Sequence, residues 1–338
     1  GDAAGAHAVG VAEAVDLLKP ILGEIRDKNL LAEAETLAGQ NALSAGQFDA
    51  AITHLEASLA AAPAWRGADQ SLLALAEARR GKGNDQEAAA AIEKLVAEFP
   101  QSSLLDKAHY RLGEIKFAKG DYAAAEQEYR WVLEHASGSP LVPHALHQLA
   151  CSQLNDKRPA EAEATASDLL SRFADHPSAP EARYFRGLAR QQMAKYAPAA
   201  EDLTAALGGQ LPAPLRADAL YVLGLCQIGL EQNAEAAKTL SGLLSESPGY
   251  AGADNARYQL AWALLLADRR KEAVEQFARL VKDSPQSPLA AEAQHHIGEY
   301  FYDQKEYDKA AVAYYDAMKA AGQTPLGEKA AHKLAWSY

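Results

Sequence analysis

One spacing runs through almost the whole chain. Gly or Ala returns every 37 residues, with no insertion or deletion between the first and last occurrence. The nine positions are Gly39, Ala76, Gly113, Ala150, Gly187, Gly224, Ala261, Gly298 and Ala335. Because a fixed period of this length is typical of repeat architectures, we expect an elongated array in which each unit packs on its neighbours.

Each unit carries further apolar positions at intervals of four residues. An alanine lies twelve residues after each of the first eight small sites, from Ala51 and Ala88 to Ala310. Large residues follow four and eight positions later, and only Ala166 is undersized. Intervals of four place these residues in one stripe on a helix, whereas a strand would alternate with period two. The second half of each unit is therefore predicted to be helical.

The first half of each unit is predicted to form another helix. Most units have an alanine five residues before the small site, and a proline follows every second helix. Glycine-containing stretches such as AKGDY (118–122) separate the two helices and suit a helix C-terminus. Asp69, Asp106 and Asp254 are expected to be N-caps, and Pro143 and Pro180 share their repeat position. The sequence thus predicts an all-α chain with two helices per unit.

The order of small, small, large and proline positions resembles the tetratricopeptide repeat. Residues 109–140, HYRLGEIKFAKGDYAAAEQEYRWVLEHASGSP, are close to a family consensus. The common family unit is three residues shorter, and the longer form looks like the variety frequent in bacterial envelope proteins. The resemblance implies a right-handed α-solenoid of tandem helix-turn-helix repeats. The matching residues are packing residues, so they indicate the fold and do not identify a ligand.

The register divides the chain into parts of one array, 1–338. Residues 1–27 are predicted to be the second helix of a partial unit, with Ala14, Leu18 and Leu22 in its apolar stripe. Residues 28–327 form eight repeats, and 328–338 form the first helix of a truncated unit. This favours excision from a longer protein. In the alternative interpretation, the open end docks onto another copy through three apolar residues: Leu334, Trp336 and Tyr338.

Composition and motifs argue against several classes of function. The formal net charge of −12 repels phosphate backbones and anionic membrane surfaces, so nucleic-acid binding is not expected. No apolar run approaches the ~18 residues that a membrane span needs, so membrane insertion is not expected either. Phosphate-loop, dinucleotide, zinc-protease and serine-hydrolase motifs are absent from the sequence. We therefore predict no enzyme activity, no catalytic residue and no cofactor.

Two pairs of residues have metal-ligand spacing, but each offers only two ligands. His144 and His147 are three residues apart, and His295 and Glu299 are four apart. Since nothing in the sequence fixes a third ligand, no metal site is predicted. Cys151 and Cys226 lie two units apart, too far for a disulfide, and are interpreted as small packing residues.

A column of rings marks the predicted binding surface. In the family that the chain resembles, first helices line the concave side of the superhelix. The residue three before the small site is Tyr or His in every unit from Tyr110 onward. Rings with polar tips can stack on a peptide or a sugar and also hydrogen-bond to it. The residue one after the small site forms a second, more variable groove column, which includes Trp262 and Glu299. The predicted site residues are Tyr110, His147, Tyr184, Tyr221, Tyr258, Trp262, His295 and Glu299.

Other interpretations of this surface stay open. Tyrosine in this column can instead pack between adjacent first helices. Lys and Asn, which the family's carboxylate-clamp groove needs for chaperone tails, are absent from the groove columns. The leading hypothesis is a scaffold that binds a protein or peptide in a bacterial periplasm or envelope, with a cytoplasmic location and a polysaccharide ligand as alternatives. The other two hypotheses are self-assembly through the ends and an accessory domain of a larger enzyme or export complex.

Overall fold

The computed structural model describes residues 22–338, a part of the chain that contains seventeen α-helices and no strand. The chain divides into two compact units, Gly1–Lys157 and Arg158–Tyr338. The helices of the first unit are α1 Lys28–Ser44, α2 Phe48–Ala61, α3 Ala68–Gly81, α4 Asp85–Glu98, α5 Leu105–Ala118, α6 Tyr122–His135 and α7 Val142–Asn155. Those of the second are α8 Pro159–Arg172, α9 Ala179–Gln192, α10 Tyr196–Leu207, α11 Ala213–Gly229, α12 Asn233–Glu246, α13 Ala253–Leu266, α14 Arg270–Asp283, α15 Ala290–Asp303, α16 Tyr307–Ala321 and α17 Pro325–Ser337.

The helix boundaries repeat with the predicted period. The even-numbered helices, which are the second helices of the repeats, begin 37 residues apart from Phe48 to Tyr307. Within each of the two compact units, consecutive helices pack against one another. The prediction of an all-α solenoid with a 37-residue period is therefore confirmed.

The small sites allow close approach of the two helices in a repeat. A Cβ placed on Gly113 would lie 2.6 Å from Cε1 of Tyr129, and one placed on Gly187 would lie 2.8 Å from Cγ of Leu203. The alanines that begin the second-helix stripe, from Ala51 to Ala310, are fully buried. Small residues on both helices thus bring the backbones together, and the large residue of the second helix covers the small site of the first.

The turn between the two helices places one residue per repeat in the left-handed region. Glycine fills this position in the first three repeats, at Gly46, Gly83 and Gly120. Non-glycine residues fill it in the next five, with φ between 57° and 61°: Lys157, Ala194, Glu231, Asp268 and Lys305. Because a Cβ disfavours this conformation, the later turns are held by the helices on either side.

The aspartates expected to be N-caps have a different role. Asp69 lies one residue inside α3, whose N-cap is Gly67, and Asp106 and Asp254 are placed in the same way. Each of the three carboxylates accepts a hydrogen bond from a serine 33 residues further on, at 2.5 to 2.6 Å. The N-cap prediction was wrong, because each aspartate lies inside its helix, where one carboxylate oxygen accepts from the next backbone amide and the other joins the repeat to the next loop.

The predicted end segments are only partly visible. The stripe positions Ala14 and Leu18 of the proposed helix 1–27 lie outside the described residues, whereas Leu22 is buried. The last helix begins at Pro325, three residues before the predicted start, and Thr324 caps it by accepting a hydrogen bond from the Gly327 amide at 3.3 Å. Within residues 22–338, none of the helices has the length and apolar character that a membrane span requires.

Candidate partner-binding surfaces

The ring column of the first unit lies at an open pocket. Tyr110 on α5 is half-buried, and its hydroxyl forms a hydrogen bond with the side chain of Gln148 on α7. Burial is the main reason that the pKa of Tyr110 is raised. The pocket beside it has a volume of about 370 Å³. Its lining residues are Glu77, Lys107, Tyr110, Arg111, Glu114, Leu141 and His144.

Ion pairs join the first helices along the wall of this pocket. Arg80 of α3 and Arg111 of α5 both donate to Oε2 of Glu114, at 2.8 and 2.9 Å. Arg111 Nη2 also lies 3.7 Å from Glu77 Oε1. These groups are only partly buried, so their attraction is screened by water, and their main effect is to hold the side chains in place around Tyr110.

The ring column of the second unit varies in depth. Tyr184 is only 5% exposed, and Tyr221 and Tyr258 are half-buried. The Tyr258 ring packs edge-on against Phe277 at 5.6 Å between centroids, and its hydroxyl bonds to the side chain of Glu292. Burial, followed by the interaction with Glu292, raises the pKa of Tyr258. These rings therefore contribute to packing within the second unit, and their contact with a partner stays a prediction.

The first helices of the second unit present apolar side chains to solvent. Trp262 on α13 is 37% exposed, and Leu266 on the same helix is also exposed. The Trp262 ring lies 5.6 Å from the ring of His296 on α15. An exposed indole beside an imidazole offers a flat surface on which an apolar or aromatic group can pack.

Three polar side chains meet on α15. The His295 side chain is 2% exposed, and its Nε2, which lacks a hydrogen-bond partner, lies 4.0 Å from Glu299 Oε1. His296 Nδ1 lies 4.0 Å from Glu299 Oε2, and its ring stacks on Phe277 at 5.0 Å. Burial lowers the pKa of His295 to about 4 and also lowers the pKa of His296. Both imidazoles are therefore neutral at pH 7.

The remaining predicted residues have separate environments. His147 is half-buried on α7. At the end of α17, Leu334 is half-buried, Trp336 is 65% exposed and Tyr338 is 93% exposed. The Lys333 ammonium lies 5.9 Å from the centre of the Trp336 ring. The part of Leu334, Trp336 and Tyr338 in association with another copy stays a prediction.

A more apolar groove lies on the second helices of the second unit. It has a volume of about 580 Å³ between α14 and α16, with Ile297 and Phe301 of α15 among its lining residues. Val312 on its edge is exposed. This groove belongs to a different surface from the ring column.

Sequence reasoning missed several residues of these sites. Arg111 directly follows Tyr110. Lys107 lies three residues before Tyr110, and His144 lies three residues before His147. They were missed because only positions that repeat in every unit were followed. His296 is three residues before Glu299, a spacing that is visible in the sequence and that brings side chains together on a helix. Cys226, interpreted as a packing residue, is buried, and burial raises the pKa of its thiol to about 12.

Comparisons with known proteins agree with the repeat architecture. The model of the tetratricopeptide repeat family matches residues 36–103, 186–251 and 258–324, together more than half of the chain. A second family model, described as outer membrane lipoprotein YfiO, matches residues 104–208. No curated protein sequence matches the chain.

Solved structures with low sequence identity share the fold. PilF from Pseudomonas aeruginosa is 18% identical, with a TM-score of 0.53 over 68% of this chain and 97% of that chain. The C-terminal part of a repeat protein from Cytophaga hutchinsonii is 13% identical, with a TM-score of 0.51 over 84% of this chain and 94% of that chain. YrrB, described as a tetratricopeptide repeat protein with an unusual peptide-binding site, is 20% identical, with a TM-score of 0.50 over 60% of this chain and 97% of that chain.

Proposed function

Because this chain belongs to the tetratricopeptide repeat family, a family of protein-interaction scaffolds, we propose that its first helices hold an extended segment of a protein partner. The observation that carries the proposal is the open pocket of the first unit. Residues of α3, α5 and α7, together with Leu141 just before α7, surround it. A segment that crosses these three helices would contact successive repeats, as an extended peptide requires.

The pocket lining indicates the chemistry of this segment. The Tyr110 ring and Leu141 offer an apolar floor for one side chain of the partner. Glu77, Glu114, Lys107 and Arg111 supply acceptors and donors for its backbone amides and carbonyls. Both signs of charge are present, so the pocket favours a polar segment with an apolar anchor over a strongly charged tail.

A bacterial cell envelope is the proposed location. The match of residues 104–208 to an outer membrane lipoprotein family supports it, and so does the longer form of the repeat. We propose a periplasmic scaffold and no catalytic role for the chain itself. Fractionation of native cells, with the chain detected by antibody, tests this location, and recovery in the cytoplasmic fraction alone would contradict it.

Matched triple variants test the proposed binding surface. The partner is captured from native extract, purified and titrated by calorimetry against each variant. Substitution of Glu77, Lys107 and His144 by Ala removes three side chains of the pocket. We expect this change to weaken binding by about 1 kcal/mol or more in total, since the minority of interface residues that cost more than 1 kcal/mol when truncated cluster near the centre of the contact.

The control variant removes the same residue types from second helices. Lys94 and Glu98 lie on α4 and His135 lies on α6, and all three are exposed. Their substitution by Ala should leave binding unchanged. Equal affinity of the pocket variant and the parent, with helix content intact by circular dichroism, would show that the partner binds elsewhere.

Self-association is a second candidate, supported by the exposed Trp336 and Tyr338 side chains. Exposed aromatic groups at one end of a helix favour contact with another apolar surface. Light scattering across a range of concentrations tests it. A mass that grows with concentration and falls after replacement of Leu334 and Trp336 by Ser supports association, whereas a constant monomer mass rejects it.

A further inference from the structure

We propose that His295, His296 and Glu299 form a binding site for a divalent transition-metal ion of the zinc class. Among residues 22–338, these three side chains are the group whose potential ligand atoms come together, all within 4.8 Å of one another. Glu299 lies four residues after one histidine and three after the other, so on a helix it is the neighbour of both.

The buried histidine is a second, independent indication of a ligand. His295 Nε2 is enclosed by protein and forms no hydrogen bond, although it points to within 4.0 Å of the Glu299 carboxylate. A buried polar atom normally has a partner. A cation between the imidazole and the carboxylate would satisfy both groups at once.

The distances suit a small ion after a modest adjustment. Zinc ligands lie about 2.1 Å from the metal, so tetrahedral donors are roughly 3.4 Å apart. The two histidine–glutamate distances of 4.0 Å, which end on different carboxylate oxygens, exceed this by about 0.6 Å, and the separations among the three ligand atoms reach up to 4.8 Å. Glu299 is the most exposed of the three and can move by rotation of its side chain, whereas the stack on Phe277 holds the His296 ring in place.

The ligand types select the ion. Two neutral imidazoles and one carboxylate suit zinc and its neighbours, whereas calcium and magnesium prefer oxygen ligands. Three protein ligands leave a fourth tetrahedral position open. Because Glu299 is on the solvent side, that position is accessible to water or to a side chain of a partner.

One cation already competes for the carboxylate. Lys333 Nζ on α17 lies 3.6 Å from Glu299 Oε1. This ammonium group also lies 5.5 Å from the centre of the Tyr302 ring, so it has another favourable position if the ion displaces it. Removal of the Lys333 charge should therefore strengthen metal binding, a result that a purely structural cluster would not give.

Competition with a chromogenic chelator tests the site on the full 338-residue chain, with Zn²⁺ alone as the probe. We expect one high-affinity Zn²⁺ per chain in the parent. Glu299→Gln should weaken binding more than about tenfold, since it removes a charged ligand. Lys333→Gln should strengthen binding by roughly threefold or more, since it removes a repelling charge.

A matched control uses a histidine–glutamate pair in the first unit. His109 Nδ1 lies 2.6 Å from Glu128 Oε2, and Lys116 also bonds to that carboxylate. Glu128→Gln should leave Zn²⁺ binding unchanged. His295→Ala should abolish binding, and Glu299→Gln provides the result if the loss of a buried ring disturbs folding. No Zn²⁺ bound by the parent, or equal binding by the parent and Glu299→Gln, would overturn the proposal.

Discussion

The first-helix surfaces of the two units are built on the same small and large packing positions, yet they carry different chemistry. In the first unit, Glu77, Arg111 and Glu114 form a charged wall around Tyr110. Glu77 and Glu114 occupy the same position in their repeats. In the second unit, this position is filled in turn by Leu188, Leu225, Trp262 and Glu299. The packing positions set the helix geometry, so the residue beside them is free to change the surface from repeat to repeat.

The shared packing predicts equal sensitivity to overpacking. Ala88 in the first unit and Ala199 in the second are fully buried where two helices cross. Substitution of either by Trp should lower the free energy of unfolding by about 3 kcal/mol, because the backbones must separate. Thermal and urea unfolding of each variant measures the loss. The exposed Ala123→Trp is the control, and a large loss in only one unit would show that the two units do not share this packing.

Acid should destabilise the second unit through its buried imidazoles. Burial lowers the pKa of His295 to about 4 in the folded chain, against about 6.5 when unfolded. The unfolded state binds the proton first, so stability falls as pH decreases from about 6.5 towards 4. We expect a loss of about 3 kcal/mol from this group by pH 4, at about 1.4 kcal/mol for each unit of pKa.

Melts of the parent and His295→Asn at several pH values between 7 and 4 measure this contribution. The variant should lose less stability than the parent over the same interval. Identical pH dependence of the two proteins would show that the His295 imidazole does not carry the effect.

The inter-helix turns distinguish the two regions in a second way. Gly83 and Glu231 occupy the same repeat position, both with positive φ. Gly83→Ala should destabilise by about 1 kcal/mol, and Glu231→Gly should stabilise by up to about 1 kcal/mol, since only glycine adopts this conformation without strain. Chemical denaturation of both variants checks the sign. The same sign for both changes would contradict the role assigned to this turn.

Two buried tyrosines are expected to behave alike in the two units. The hydroxyls of Tyr129 and Tyr314 are enclosed and have no hydrogen-bond partner. Replacement of either by Phe should be neutral or stabilising by up to about 1 kcal/mol, because an unsatisfied polar group is removed. Tyr258→Phe is the contrast, since its hydroxyl bonds to Glu292 and its loss should destabilise. Unfolding experiments that show a clear loss for Tyr314→Phe would indicate a hydrogen bond to that hydroxyl.

The fold was predictable because its packing is local and periodic. Tyr129 follows Gly113 by sixteen residues in the sequence, and the two are in contact where their helices cross. The same offset recurs in every repeat, so the register of one repeat predicts the helix crossing in all of them. The turn residue with positive φ could be located for the same reason, although glycine marks it in only three repeats.

The sites were less predictable because their contacts depend on side-chain direction. The hydroxyl of Ser102 bonds to Asp69, and the hydroxyl of Tyr110 bonds to Gln148, across 33 and 38 residues of sequence. Periodicity places these residues near each other but does not say which rotamer joins them. The ion pairs around Glu114 and the stack of His296 on Phe277 arise in the same way.

Photo-crosslinking tests most directly whether the partner lies on the first helices of the first unit. A photoreactive phenylalanine analogue is placed at Lys107 on α5, at Lys94 on α4 and at Leu266 on α13, one exposed position each. The position on α13 reports whether the bound segment also reaches the second unit. We expect strong capture of the native partner from position 107 and none from position 94. Capture from position 94 without capture from position 107 would contradict it.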